Sequence, residues 1–196
     1  MEIINRLKNV LVSPKTEWQT IEAENSPHVK VFTGYVVPLA LIPAVAAFIG
    51  YGLIGYSVWG VHISSVSWGV RQAIVQYVAM LSGVYITAFV INALADNFGA
   101  KKDFNRAVSL VAYAYTPMFV GGLFYLLPSL SWLASLAGLY GLYIIYTGLQ
   151  PLMKVQSEKQ ASYFVVSLIV TVAVSAALML ILAAVLLRGA GGFYGL

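Results

Sequence analysis

Residues 107–153 read AVSLVAYAYTPMFVGGLFYLLPSLSWLASLAGLYGLYIIYTGLQPLM, 47 positions without one Asp, Glu, Lys or Arg. About 20 apolar residues cross the roughly 30 Å hydrocarbon core of a bilayer, so this stretch holds two passes. Pro128-Ser129 breaks it where a tight return is needed. Working outward, three more uncharged runs cover residues 31–70, 72–95 and 160–187, which are 40, 24 and 28 residues long. Each holds one pass. The chain is 60% apolar and 9% charged, against roughly 25% charged in soluble domains, and one aqueous domain of this size could not hide such runs. The fold class is therefore all-α: a polytopic integral membrane protein of five transmembrane helices with short cytosolic amphipathic helices ahead of them.

Three segments follow. Residues 1–30 form a cytosolic amphipathic segment, residues 31–188 a single five-helix membrane domain, and residues 189–196 a glycine-rich outer tail. A secretory signal would put its apolar stretch in the first 15 to 30 or so residues. Residues 1–30 instead carry eight charges, so the first span is expected to be retained. Ile3, Ile4, Leu7, Val10 and Leu11 share one helical face, with Arg6 and Lys8 elsewhere. Such a helix either lies at the headgroups with its cations on phosphates or packs on the protein's own loops. Ser13-Pro14 starts a second short helix, and Asn25-Ser26-Pro27 ends it.

Lys and Arg set the orientation. Nine of them (Arg6, Lys8, Lys15, Lys30, Lys101, Lys102, Arg106, Lys154, Lys159) fall on one side, and Arg71 and Arg188 on the other. The amino terminus and both charged loops are expected in the cytosol and the carboxyl terminus outside. The net charge of +4 thus reads as topology and not as nucleic-acid binding. With no cysteine and with His28 and His62 on opposite sides, thiolate and paired-histidine metal sites are excluded, and no cofactor is expected. Nucleophile-elbow, phosphate-loop and His-x-x-x-His patterns are absent. The chain reads as non-enzymatic.

Polar residues at membrane depth are the functional candidates. Asn92 and Asp96 lie one turn apart at the cytosolic end of span two, as interface markers or as a polar vestibule. Ser109, Tyr113 and Thr116 share a face of span three just before Pro117, whose missing N–H frees the Tyr113 carbonyl; this is either a packing kink or the wall of a binding cavity. Arg6, Lys8, Lys101, Lys102 and Arg106 are the cytosolic cations expected to meet phospholipid or a partner. Ala134 and Gly138 on span four, and Ser167, Thr171 and Ser175 on span five, recur every four residues as small side chains do at close helix contacts. They serve packing within the chain or a homo-oligomer.

The run from Phe98 through Gly99-Ala100-Lys101-Lys102-Asp103-Phe104-Asn105-Arg106 to Tyr113 and Thr116-Pro117, followed by Gly121-Gly122, resembles the central signature of the Yip domain family. These are Ypt/Rab-interacting membrane proteins of the early secretory pathway and their bacterial relatives. The stretch Ser135 to Tyr143, the Met153-Lys154-Val155 loop and Ser13-Pro14-Lys15-Thr16-Glu17-Trp18 are similar to the same family. The resemblance implies five spans, a cytosolic amino terminus and a short outer tail. The acidic Asp-Leu-Tyr-Gly-Pro motif and the long polar amino-terminal region of eukaryotic members are missing, so the likeness is to the bacterial branch, without Rab binding. The expected protein resides in a bacterial cytoplasmic membrane and acts in membrane organisation, or as a platform for lipid or an unidentified cytosolic partner. The rival is a small transporter or lipid-handling protein with a polar cavity between its helices. A dry bundle favours the first, and a polar cavity at mid-depth the second.

Overall fold

The computed structural model describes residues 3–58 and 61–191. The end of the expected outer tail, from residue 192, and Trp59-Gly60 lie outside the described residues. Two short helices, α1 (Ile3–Val12) and α2 (Pro14–Glu24), precede α3 (His28–Ile54). Pro38 and Pro43 each remove a donor from α3, and the helix widens into π turns at Phe32–Val36 and Phe48–Ile54. A hairpin of β1 (Tyr56–Val58) and β2 (Val61–Ile63) follows, in register Tyr56 with Ile63 and Ser57 with His62. The sequence alone points to an aromatic interfacial exit through Trp59-Gly60 and then a short polar loop from His62 to Trp68, with no strand pairing. The pairing rests on alternating strand-forming residues, Tyr56, Val58, Val61 and Ile63, packed into too few positions to stand out against the flanking apolar runs.

Helix α4 (Val66–Leu94) starts on the Ser65 hydroxyl, which accepts the Trp68 N–H at 3.4 Å. It crosses α3 so closely at Gly52 and Gly69 that a Cβ on Gly69 would lie 2.5 Å from the Gly52 Cα. A 3-10 turn at Ala95–Phe98 leads to α5 (Phe104–Ala114), capped by Asp103. The chain turns at Tyr115 and continues as α6 (Thr116–Gly121) and a 3-10 segment to Leu126. Then come α7 (Leu133–Met153) and α8 (Ser157–Gly191).

Four of the five expected spans are helices long and apolar enough to cross a membrane: His28–Ile54, Val66–Phe98, Phe104–Leu126 and Ser157–Leu178. The remaining one, α7, has 21 residues, about 31 Å at ~1.5 Å per residue, and its apolar character is diluted by Tyr140, Tyr143, Tyr146, Thr147 and Gln150.

The charged connections gather at one end of the bundle. The Lys101 N–H donates to the Met153 carbonyl at 2.6 Å, and the His28 N–H to the Asn105 side chain at 2.9 Å. At the opposite end the β-hairpin meets the Leu127–Ser129 turn. Helix α5 is the centre of the core: Val108, Leu110, Val111 and Ala112 have no exposed surface.

Candidate functional site

The amino-terminal helices are built into the bundle. Ser13-Pro14 folds α2 back beside α1, and α2 runs along α7. Trp18 is fully buried, and its indole N–H donates to the Thr147 hydroxyl at 3.2 Å. A Cβ on Gly148 would overlap both Trp18 and Leu110, so glycine there is what lets the indole seat. The Tyr140 hydroxyl donates to the Leu11 carbonyl at 2.7 Å. Tyr140 lies 13 residues, or about 20 Å, from the Met153 end of α7, so the tip of the α1–α2 hairpin reaches well along the bundle.

Arg6 departs from expectation. It is expected to meet phospholipid or a partner, yet its side chain is 4% exposed, with the guanidinium paired to Glu17 and Glu24 and 5.3 Å from the centre of the Tyr113 ring. The expected apolar face of α1 is corrected with it: Arg6 and Val10 turn inward, while Ile4 is 75% exposed. The cause is the pair of acids two turns apart on α2, which satisfy a fork-shaped cation where lipid phosphate would have to be recruited. Lys8 remains exposed.

Behind Arg6, the Tyr113 carbonyl near the end of α5 has its partner within the protein. Tyr113 meets Tyr35 edge to face at 4.8 Å. The Tyr35 hydroxyl lies 2.7 Å from the Thr116 hydroxyl, which itself donates to the Tyr113 carbonyl. The acceptor that Pro117 frees is therefore occupied by the neighbouring threonine. Ser109, on the same helix, lies buried in a narrow crevice beside Glu22 and Arg106.

A second clasp ties α2 to the loop end. Glu22 takes Lys154 and, at 3.6 Å, Arg106. Arg106 also meets Asp103 at 3.4 Å and the Leu152 carbonyl at 3.4 Å. The hydrogen-bonded Lys154 ammonium first, and the Arg106 guanidinium after it, hold the Glu22 carboxyl below the usual carboxylate range against the smaller opposing effect of burial. Arg106 thus serves a fold contact, whereas Lys101 and Lys102 stay exposed. Lys102 pairs with Asp96 at 3.4 Å across a largely solvated gap, a contact of small worth. Asn92 sits half-buried with its side-chain oxygen unpartnered, apart from the Tyr113 group.

Of the residues the sequence offers for a polar cavity, Tyr113 borders an open cleft of about 350 Å³ together with Arg6, Glu24, Lys30 and Tyr35, whereas the apolar space between the helices has a different wall. About 260 Å³ lies between α4, α6, α7 and α8, almost wholly apolar, with Thr87, Ile91, Tyr115, Gly138, Ile145 and Leu168 among its borders. Asn92, Asp96, Tyr113 and Pro117 do not line it. Gly138, Ser167 and Thr171, expected at tight helix contacts, border this space, and the Ser167 and Thr171 hydroxyls are buried without a partner. Ala134 does pack against Gly121 of α6. Ser175 is half-buried on α8. Among the described residues, no three His, Asp or Glu side chains gather to hold a metal.

Sequence reasoning missed Glu17, Glu24, Trp18 and Tyr35 as partners. The usable signal was Glu17 and Glu24 at a seven-residue spacing on a helix otherwise short of apolar residues. Such a spacing places two carboxylates on one face.

The Yip1 domain matches residues 8–192 of the chain. The inner membrane protein YohC of Escherichia coli, in strain K12 and in an O6:H1 strain, is 32% identical over 156 residues, covering 76% of this chain and 80% of YohC. No solved structure matches.

Proposed function

The chain belongs to the Yip1 domain family, and on that footing we propose that it is a non-catalytic platform in a bacterial inner membrane, organising anionic phospholipid at its cytosolic face. The proposal includes five crossings, with α7 as the fourth, the amino terminus and both charged loops in the cytosol and the carboxyl terminus outside. The nine-to-two division of Lys and Arg supports that orientation, and the helical length of α7 supports the count.

One observation carries the reading. Of the nine cations on the loop side, the two arginines are turned into the protein and all seven lysines are exposed, two of them beside a carboxylate, Lys102 at Asp96 and Lys154 at Glu22. Lys30, Lys101, Lys102, Lys154 and Lys159 belong to the loop end, and Lys8 and Lys15 to the outer side of the hairpin. Arginine forks are thus spent on internal carboxylates, while the strongly hydrated, adaptable ammonium groups are left outward. Such lysines near a membrane surface attract anionic headgroups. A transporter would need a polar route between the helices, and the satisfied Tyr113–Thr116 pair and the apolar wall of the cavity count against one.

The test is the composition of the lipid shell. The full chain in nanodiscs of mixed phosphatidylglycerol and phosphatidylcholine should retain phosphatidylglycerol at two- to threefold above its bulk ratio. Replacing Lys30, Lys101, Lys102 and Lys159 by Gln should return the shell to the bulk ratio, as should high salt. A parent protein whose shell already matches the bulk ratio refutes the proposal.

A further inference from the structure

The cavity between α4, α6, α7 and α8 is built by small side chains on facing helices, Gly138 and Gly141 on one side and Ser167 and Thr171 on the other. A Cβ placed on Gly138 would meet nothing within 4 Å. The packing stripe here is therefore a spacer, holding two helices apart without filling the gap. Helix-to-helix contact needs a neighbour at that position, and Gly138 has none.

Three properties fix what fits there. The wall is almost entirely carbon: the Thr87 and Tyr115 hydroxyls face each other at 3.4 Å, and those of Ser167 and Thr171, unpartnered on one helix, are too few to hold a column of water. Its volume of about 260 Å³ exceeds the roughly 150 Å³ cavity that accepts benzene in an engineered protein, and a void of this size left unfilled would severely weaken a small bundle. Its shape is long: it starts within about one helical turn of the loop ends of α4 and α7, at Ile91 and Leu149, and reaches Gly138 and Thr171. Leu149 to Gly138 is 11 residues, about 16 Å at ~1.5 Å per residue. That is close to half the ~30 Å hydrocarbon core, the depth of one leaflet. The outer face of α8 beside it, with Val165, Ile169 and Val172, is exposed and apolar, which leaves a continuous hydrocarbon path from bilayer to cavity.

We propose that this cavity is a binding site for one acyl chain of a phospholipid from the loop-side leaflet, seated between α7 and α8. The inference is independent of the cationic platform: it concerns the chain of the lipid and not its headgroup, and it holds for neutral and anionic phospholipids alike.

The test uses the full chain in vesicles containing a phosphatidylcholine analogue with a diazirine along one acyl chain, with adducts mapped by mass spectrometry after illumination. Adducts on cavity residues Ile145 and Leu168 should equal or exceed those on the lipid-facing Ile169 and Val172. Gly138→Leu should cut the cavity adducts at least fivefold and leave those at Ile169 and Val172 unchanged. Ser167→Leu fills the same space from the opposite helix and should do likewise, so that either variant suffices if the other fails to fold. A parallel arm with a diazirine free fatty acid separates the two sources of an acyl chain. Cavity labelling by the fatty acid alone overturns the phospholipid assignment. Parent labelling confined to Ile169 and Val172, or cavity labelling undiminished in a folded filling variant, overturns the site.

Discussion

Arg6→Gln isolates the contact that holds the amino-terminal hairpin in the bundle. The substitution leaves Glu17, whose side chain is 8% exposed, buried without its cation. Breaking a buried pair from one side costs about 3–5 kcal/mol, and loss of the guanidinium over Tyr113 adds about 0.5–2 kcal/mol. Glu24, 38% exposed, contributes little because solvent screens it. Together these come to about 3.5–7 kcal/mol, and at about 1.4 kcal/mol per tenfold the population with the hairpin undocked should rise on the order of 10² to 10⁵-fold. The chain has no cysteine, so Ile21→Cys, at a position 4% exposed, gives a thiol that reacts with maleimide only when α2 leaves α7. Labelling of this thiol in native membranes should accelerate by that factor in Arg6→Gln, while Ala23→Cys, at an exposed position, reacts equally in both backgrounds. Arg6→Met combined with Glu17→Gln removes both charges and should recover most of the protection. If Arg6→Gln leaves the rate at Ile21→Cys unchanged, the buried cluster does not hold the hairpin and the reasoning is wrong.

Gly148→Ala should lower the midpoint of thermal unfolding in detergent by overpacking Trp18 against Leu110, a cost of about 1–3 kcal/mol. Glu22 titrates below the ordinary carboxylate range in the folded protein, so its clasp is intact above that range and is lost as pH falls through the depressed value. The labelling rate at Ile21→Cys, divided by that at the exposed Ala23→Cys so that the falling thiolate fraction cancels, should stay flat from neutral pH and rise only once the pH falls below the ordinary carboxylate range, and Glu22→Gln should flatten that rise. For orientation, Lys101→Cys and Gln156→Cys should resist an impermeant maleimide applied from outside the cell while Ser64→Cys reacts; the opposite pattern inverts the proposed topology. Thr116→Val strands both the Tyr35 hydroxyl and the Tyr113 carbonyl inside the bundle and should cost about 1–3 kcal/mol, of which Tyr35→Phe in the same chain recovers a part. A Thr116→Val protein as stable as the parent would mean that the pair is not the partner of the carbonyl freed by Pro117.

The membrane architecture was legible because hydrocarbon imposes a coarse rule. An uncharged run of 47 residues with a proline near its middle leaves few alternatives, and α3, α4, α5–α6 and α8 fall on the runs from which they were read. What escaped was finer. The β-hairpin at Tyr56–Ile63 rests on three residues per strand, fewer than a period-two pattern needs to show itself among apolar neighbours. Ser64, Ser65 and Ser67 look like a polar loop ahead of Arg71 when only the sequence is considered, yet α4 starts at Val66 with Ser65 as its cap.

The site was harder for a physical reason that α1 makes plain. A helix with a charged residue on it looks surface-bound when its sequence is read alone, since burying an unpaired cation is prohibitive. The price changes sign once two carboxylates are brought to the same place, and those lie 11 and 18 residues further on, on a helix whose direction no local pattern specifies. The same logic governs Pro117. Locally it frees a carbonyl, which invites a ligand, but the adjacent Thr116 and a tyrosine 81 residues away in sequence close the account first. Polar groups at membrane depth thus mark places where compensation is required, and only the three-dimensional neighbourhood says whether the protein or a ligand supplies it. In this bundle the protein supplies it at Arg6 and Tyr113. The space beside Gly138, by contrast, has almost no polar surface.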